Sequence, residues 1–364
     1  MKIVYLLDLP TSPQSGVGEK IKTQVELWSK NHHDILLIVV TPHRFTNDWI
    51  QAKLPAKVVI LSYSSIFFRV FCRVKSSIYI WKLNRKEKIY IYWRLSIPTP
   101  DQILLILRNP YFLEVNSDVL TEYKIRRNKI IFLVYWALER SLTKKAQYVF
   151  FVTKELEDKY SVRYALQNTK FITNGIKLGI PNNCALNFQY DLVFLVTEIL
   201  PWHGLDKFIK IAKDNVSLSL VLITKNPLSE ESLRLISETK NITTLSMLSH
   251  ESIKDVMDVS VAGLSQLSME TLGLKEAASL KTRTYLSHGL PVVTGSRDSA
   301  FSAESDFIYL LDDSNEKLLE FLSRWRFKRV SDRELDAINA ENLESERLEI
   351  MEYVAKKFEK KSSV

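Results

Sequence analysis

The chain is poor in glycine, cysteine and long apolar runs. Only 9 glycines occur in 364 residues, so each one marks a place where the backbone needs freedom or space. Cys72 and Cys184 lie far apart, which excludes a disulfide framework and a zinc site built on cysteines and fits a reducing cytoplasm. No apolar run approaches the roughly 18–20 residues that span a bilayer. The apolar run 3–7 is too short for a signal peptide, and we expect a buried strand there.

Short apolar runs that alternate with helical patterns fill the chain. Hydrophobic residues at 46% and charged residues at 25% are ordinary values for a globular protein. The runs are 3–7, 35–40, 58–61, 89–92, 147–152, 192–196, 218–223, 259–264, 290–293 and 307–311. Strands that alternate with helices predict a doubly wound α/β architecture with parallel sheets.

The length predicts two domains, because single domains usually run about 100–200 residues. Asparagine, glycine and proline turn signals interrupt the alternation between residues 174 and 190. We therefore predict a first domain over 1–175, a linker over 176–190 and a second domain over 191–340. The segment 341–364 lies in a stretch rich in Glu, Leu, Ala and Lys without Gly or Pro, which predicts a C-terminal helix.

The net charge of +8 is concentrated in the segment 63–94, where basic and aromatic residues alternate and Glu87 is the only acid. The cations are Arg69, Arg73, Lys75, Lys82, Arg85, Lys86, Lys88 and Arg94. Such a segment suits an anionic membrane surface, and its field would also attract nucleic acid. A third interpretation is a solvated cationic face over aromatic core residues. We favour the membrane surface and expect no nucleic-acid partner.

The segment 275–293 joins a polar turn, a helix, a glycine stop and an apolar strand. Glu276 and Lys281 stand at the predicted start of the helix, where free N–H groups and the helix dipole favour a diphosphate. Gly289 ends the helix and Pro291 prevents its continuation.

This segment resembles the signature of retaining glycosyltransferases of the large bacterial family 4 type, which build capsule, O-antigen and other envelope glycans. The matching residues are Glu276, Ser279, Leu280, Lys281, Tyr285, Leu286, Gly289, Leu290, Pro291, Val292 and Val293. The resemblance implies a GT-B fold, in which two Rossmann-like domains face each other across a cleft and the C-terminal helix crosses back to the first domain.

The same resemblance implies a retaining hexosyltransferase that needs no metal or cofactor. Its donor would be a UDP- or GDP-linked sugar, and its acceptor an envelope glycan or a polyprenyl-linked saccharide. Such an enzyme would be cytoplasmic and peripheral at the inner face of the plasma membrane.

The resemblance also assigns roles to single residues. Glu276 and Lys281 would be catalytic, with Glu276 on the donor sugar and Lys281 on its diphosphate. Donor contacts are expected from Gly16, Gly18, His203, Gly204, Ser279, Leu280 and Thr284. Glu114 and Asn116 match an element near the cleft and are acceptor candidates.

Several residues depart from the family pattern. Thr197, Glu198 and His203 stand in the loop where an arginine and a lysine usually hold the donor phosphates, and Thr284 replaces a second glutamate. These departures leave open a catalytically silent subunit that binds a glycan or a partner transferase. A dinucleotide-binding oxidoreductase is disfavoured, because Gly16 and Gly18 lack the third glycine of that fingerprint.

Overall fold

The computed structural model divides the chain into two compact units. The first comprises Met1–Thr173 with Ala340–Val364, and the second comprises Asn174–Asn339. The described residues are 1–8, 12–95, 109–125, 129–179, 188–246, 249–302, 305–312 and 315–362. Cys184 and most of the predicted linker lie outside them, and the boundaries drawn from the sequence stay a prediction.

The first unit is built on a 7-stranded parallel sheet with the strand order β3-β2-β1-β4-β5-β6-β7. Its strands are β1 (Lys2–Asp8), β2 (Asp34–Pro42), β3 (Lys57–Tyr63), β4 (Tyr90–Arg94), β5 (Tyr111–Val115), β6 (Tyr148–Phe151) and β7 (Thr169–Phe171). Its helices are α1 (Gly16–Lys30), α2 (Thr46–Gln51), α3 (Ile66–Asn84), α4 (Val119–Ile125), α5 (Lys129–Lys145), α6 (Lys154–Tyr164) and the last helix of the chain, α12 (Ala340–Ser362).

The second unit is built on a 6-stranded parallel sheet with the order β10-β9-β8-β11-β12-β13. Its strands are β8 (Tyr190–Val196), β9 (Leu220–Thr224), β10 (Ile242–Ser246), β11 (Ser260–Leu264), β12 (Val292–Thr294) and β13 (Ile308–Leu310). Its helices are α7 (Leu205–Asp214), α8 (Glu230–Ser237), α9 (His250–Asp258), α10 (Leu280–Ser287) and α11 (Asn315–Trp325). A hydrogen bond joins the two ends of this unit: Ile176 N–H donates to the Ile338 carbonyl at 2.8 Å.

The predicted doubly wound architecture is confirmed, and each predicted apolar run overlaps a strand. Three strands lie outside the predicted apolar runs: β5, which contains Glu114, the short β7, and β10, an edge strand with several exposed positions. The predicted C-terminal helix over 341–364 corresponds to α12, and a 3-10 helix at Asp332–Ile338 precedes it. Within the described ranges, no helix combines the length and apolarity that a membrane span requires.

A buried cluster of charges joins α12 to the sheet of the first unit. Glu114 is fully buried at the end of β5 and accepts hydrogen bonds from Lys20 Nζ at 2.8 Å and Arg347 Nη1 at 3.2 Å. Burial alone would raise the pKa of Glu114, but Lys20, Arg347 and Arg94 hold it well below its usual range. Arg347 Nε also donates to Glu344 at 3.1 Å. These ionic bonds connect β5, α1, β4 and α12.

We predict that Arg347→Met destabilises the first unit by about 3–5 kcal/mol, because it leaves buried carboxylates without their partner. The matched control is Lys170→Met, since Lys170 pairs at 2.7 Å with Glu346 on the same helix but near the surface. That variant should lose less than about 1 kcal/mol. Hydrogen exchange of the β4 and β5 amides measures both losses. Equal losses in the two variants would contradict the role given to the cluster.

Candidate active site

The strand order of the second sheet creates a crevice between β8 and β11. The chain leaves β8 for β9 on one side and reaches β11 from β10 on the other, so the connections diverge at the carboxyl ends. Tyr285 bridges the two strands here: its hydroxyl donates to the Leu264 carbonyl at 3.0 Å and accepts from Leu195 N–H at 2.7 Å. A Cβ on Gly263 would lie 2.2 Å from the Tyr285 ring, so only glycine allows this packing.

Helix α10 begins beside this crevice. Ser279 caps it, and the Ser279 hydroxyl accepts from Lys281 N–H at 3.3 Å. Leu280 is the first helical residue, and the N–H groups of this first turn have no partner within the helix. Lys281 precedes Tyr285 by four residues, which places both side chains on one side of the helix.

The side-chain amine of Lys281 is the unusual group at the start of α10. Its Nζ is buried and makes no hydrogen bond within the described residues, although the rest of the side chain is partly exposed. The nearest aromatic ring is Phe194, whose centroid is 5.2 Å from Nζ. Burial lowers the pKa of Lys281 to about 7. A bound anion would supply the missing partner.

His203 and Gly204 lie in the loop after β8. The Nδ1 atom of His203 accepts from Leu200 N–H at 3.2 Å, which fixes the ring. Burial, with a smaller contribution from Lys281, lowers the pKa of His203 to about 3, so the ring is neutral near pH 7. Gly204 has a φ of 71°, and a Cβ there would lie 2.7 Å from Leu267 Cβ. This position therefore requires glycine for both conformation and space.

Glu276 does not stand at the start of the helix as predicted, because α10 begins only at Leu280. It lies in an extended segment that pairs with the chain after β12. Ala277 N–H donates to the Arg297 carbonyl at 2.8 Å, and Arg297 N–H donates to the Lys275 carbonyl at 2.9 Å. The Glu276 carboxylate accepts a hydrogen bond from the Ser299 hydroxyl and remains partly exposed. The carboxylate is thus held in place and still accessible.

An ion pair that no local sequence pattern indicates fixes this segment. Arg283 is buried in α10 and binds Asp298 through two hydrogen bonds of 2.6 and 3.0 Å. Its Nε donates to the Asn174 carbonyl at 2.6 Å, and the Asn174 amide donates to the Ala278 carbonyl at 2.6 Å. The Asn174 side chain, which lies among the turn signals of the predicted linker region, thus holds the segment that carries Glu276.

The residues that depart from the family pattern make the following local contacts. The Thr284 hydroxyl donates to the Leu280 carbonyl at 2.9 Å, so its proton is used within the helix while its oxygen can still accept. Thr197 and Glu198 are exposed. In the part of the chain that the structure describes, no three His, Cys, Asp or Glu side chains group as metal ligands.

The glycine candidates of the first unit lie at the start of α1. Gly16 is its first residue and is exposed, and Gly18 N–H donates to the Ser15 hydroxyl at 3.0 Å. A Cβ on Gly18 would lie 2.3 Å from the Ser12 carbonyl oxygen, so this glycine is needed for close packing of the turn. Phosphate contact by either glycine stays a prediction.

The acceptor candidates Glu114 and Asn116 also belong to the first unit. The Asn116 amide donates to Glu114 at 2.8 Å, and Lys20 Nζ donates to the Asn116 side-chain carbonyl at 3.3 Å. Because Glu114 is fully buried among its cations, these contacts give it a structural role. Asn116 is partly exposed, and acceptor binding by the pair stays a prediction.

Among the comparisons with known proteins, the one with solved structures finds matches, and these concern the fold. No family model matches the chain, and no curated protein matches it. Among solved structures it is similar to sucrose-phosphate synthase from Thermosynechococcus elongatus, with 13% identity, a TM-score of 0.72, and coverage of 98% of this chain and 100% of the other. A glycosyltransferase from Rickettsia africae ESF-5 shares 12% identity with a TM-score of 0.67, over 98% of this chain and 99% of its own.

A third similar structure is UDP-GlcNAc 2-epimerase from Methanocaldococcus jannaschii, with 11% identity, a TM-score of 0.57, and coverage of 97% of this chain and 100% of the other. These neighbours confirm the predicted GT-B fold with two Rossmann-like domains. Glycosyltransferases are prominent among them, and the epimerase shows that the fold also serves other reactions.

We predict that Lys281→Met stabilises the unliganded protein by on the order of 2 kcal/mol at pH 6, because a buried ammonium without a partner is costly. The pKa of Lys281 falls from an unfolded value of 10.5 to about 7 on folding. The penalty is therefore complete below pH 7 and fades as the pH rises towards 10.5. Urea unfolding at pH 6 and 9 measures the difference. Lys213→Met, an exposed control on α7, should change little, and a destabilising Lys281→Met would show that the amine has a structural partner.

Proposed function

We propose that the protein is a glycosyltransferase that binds the diphosphate of a nucleotide sugar at the start of α10. The observation that carries this proposal is the buried Lys281 amine, which has no hydrogen-bond partner among the described residues. Lys281 belongs to the first turn of α10, and its amine lies 5.2 Å from the Phe194 ring of β8, a strand that borders the switch point of the parallel sheet. The GT-B fold supports sugar transfer as the reaction class.

Each group of the site has a separate role in the proposed reaction. Lys281 and the N–H groups of α10 would stabilise the negative charge that develops on the departing nucleotide. His203 is neutral, so it acts as a dipole and hydrogen-bonding group and adds no positive charge. Glu276, held by Ser299, would accept hydrogen bonds from hydroxyls of the donor sugar. We propose a retaining hexosyl transfer that uses no metal or cofactor, with a UDP- or GDP-linked donor.

The proposed acceptor is an envelope glycan, most simply a saccharide on a polyprenyl carrier. Such a carrier resides in the membrane, and the segment 63–94 has the basic and aromatic composition of a peripheral membrane contact. We therefore propose that the protein acts in the cytoplasm at the inner face of the plasma membrane. Nucleic acid has no part in this proposal.

A catalytically silent subunit is the second candidate. Two observations favour it. The loop after β8 has Thr197 and Glu198 in place of phosphate-binding cations, and the Thr284 hydroxyl donates its hydrogen bond to the Leu280 carbonyl. Such a subunit would bind a nucleotide sugar or glycan without turnover. Binding and turnover must therefore be measured separately.

We predict that the protein takes up a fraction of a proton, at most about one, when UDP or GDP binds at pH 8. With a pKa of about 7, free Lys281 is mostly neutral at this pH. A bound diphosphate raises that pKa again and protonates the amine, so the uptake by Lys281 should shrink as the pH is lowered through 7. Calorimetric titration in two buffers of different ionisation enthalpy measures the uptake.

The controls for this titration are two single variants. Lys281→Met should abolish the uptake at pH 8 and weaken binding, whereas Lys213→Met should leave both unchanged. Binding with the same proton uptake in Lys281→Met would remove Lys281 from the diphosphate site. Failure of both nucleotides to bind the unaltered protein would contradict the proposed function itself.

We predict that Glu276→Ala lowers transfer at least about a hundredfold, which corresponds to about 3 kcal/mol of transition-state stabilisation. Turnover is followed with UDP- and GDP-sugars and lipid-linked saccharides, and the anomeric configuration of the product is read by NMR. Glu270→Ala is the control, because Glu270 is exposed and bonds Lys207 outside the Glu276 segment. It should retain activity within about twofold.

The outcomes of the turnover assay separate the candidates. Unchanged turnover in Glu276→Ala would exclude a donor-sugar role for this residue, and an inverted product would contradict retention. Nucleotide binding without any turnover would favour the silent subunit. Interconversion of a nucleotide sugar without an acceptor would indicate an epimerase.

A further inference from the structure

Two helices of the first unit expose large apolar side chains where solvent-facing helices usually carry polar ones. On α3, Phe67 is 84% exposed, and Phe68, Phe71, Ile78 and Trp81 are also exposed. On α5, Leu133 is 63% exposed and Trp136 is exposed as well. Several large apolar side chains exposed on one helix in this way indicate an interaction surface.

Both helices cover the same face of the first sheet. Cys72 of α3 packs on Val40 of β2, whose neighbour Val39 points into the core on the α1 side. On β5, the Tyr111 hydroxyl donates to the Leu142 carbonyl of α5 at 2.5 Å, while the neighbouring Phe112 points to the α1 side. Because side chains alternate along a strand, α3 and α5 lie opposite α1.

The exposed charges on these two helices are all positive within the described residues. They are Lys75 and Lys82 on α3, and Arg140, Lys144 and Lys145 on α5, and the exposed Arg85 follows α3 directly. Two of these cations lie against exposed aromatic rings: Lys75 Nζ is 4.6 Å from the Phe71 centroid and Arg85 Cζ is 5.0 Å from the Trp81 centroid. The acid of α5, Glu139, is fully buried and accepts from the Tyr160 hydroxyl.

Some cations of the segment 63–94 are not available to this surface. Arg69 and Arg73 both pair with the buried carboxylate of Asp8. Arg94 pairs with Glu114 in the buried cluster. Lys88 pairs with Glu359 of α12. The composition of the segment therefore overstates its accessible charge, and α5 supplies cations that lie outside it.

We propose that α3 and α5 together form one surface that binds an anionic lipid bilayer. The aromatic and aliphatic side chains would enter the region between head groups and acyl chains, and the cations would contact the lipid phosphates. A second copy of this chain fits poorly, because a two-fold interface would bring the same cations together without an opposing acid. The inference rests on the proposed peripheral role, and it extends the contact from the segment 63–94 to α5.

Vesicle sedimentation with phosphatidylcholine alone, and with phosphatidylcholine and phosphatidylglycerol at about 3:1, tests the surface. Phe67→Ser with Phe71→Ser, and separately Leu133→Ser with Trp136→Ser, should each weaken binding to anionic vesicles roughly tenfold. The matched control is Val162→Ser with Val216→Ser, since these residues are 86% and 80% exposed but lie on neither helix. It should bind as the unaltered protein does.

Charge is tested in the same assay. Lys82→Gln with Arg85→Gln, and Arg140→Gln with Lys144→Gln, should each weaken binding to anionic vesicles, whereas Lys213→Gln with Lys240→Gln should not. Added salt should weaken binding of the unaltered protein. All these positions are exposed, so unchanged melting temperatures verify that the variants fold.

Three outcomes would overturn the inference. Equal binding to neutral and anionic vesicles would exclude the electrostatic part. A loss in the α3 variant without a loss in the α5 variant would reduce the surface to α3 alone, while the peripheral role would stand. Absence of vesicle binding, with a dimer that the serine variants dissociate in light scattering, would assign the surface to a second copy. UDP binding by calorimetry is independent of all three, so failure here and failure of the proposed function are distinguishable.

Discussion

The candidate site depends on the way Tyr285 joins two diverging strands. Its hydroxyl bonds both Leu195 of β8 and Leu264 of β11, at the point where their connections part. The ring fits only because Gly263 has no side chain. This contact fixes the rotation of α10 about its axis. One turn earlier, the same face of the helix carries Lys281, whose buried amine is thereby directed towards the edge where the strands separate.

Glu114 in the first unit and Lys281 in the second unit differ in how their buried charge is balanced. In the first unit, Glu114 is surrounded by Lys20, Arg94 and Arg347, so the cost of burial is offset by ionic hydrogen bonds, and the cluster joins the C-terminal helix to the sheet. In the second unit, Lys281 has no such partner and its pKa falls to about 7. Paired charges stabilise the fold, whereas an unpaired one is a cost that an anionic ligand can remove.

On the exposed faces of α3 and α5, the charges are arranged in a third way. Cations there stay in solvent beside aromatic rings, while arginines closer to the sheet are neutralised by Asp8. The amino-acid composition alone does not distinguish between these cations. Only burial and ion pairing distinguish the cations that stabilise the unit from the cations that can contact an anionic surface.

The sequence determined the GT-B architecture, because apolar runs at regular spacing specify parallel strands and the motif at 275–293 resembles one family. It also pointed to Lys281 at a helix start and to Glu276 through the family motif, although Glu276 lies in the extended segment before α10. It did not reveal β5 as a strand, the Arg283–Asp298 pair or the role of the Asn174 side chain. Those features join residues distant along the chain, and no local pattern encodes such contacts. The buried state of Lys281 was likewise decided by tertiary packing, because burial depends on the side chains that surround an amine and not on its neighbours in sequence.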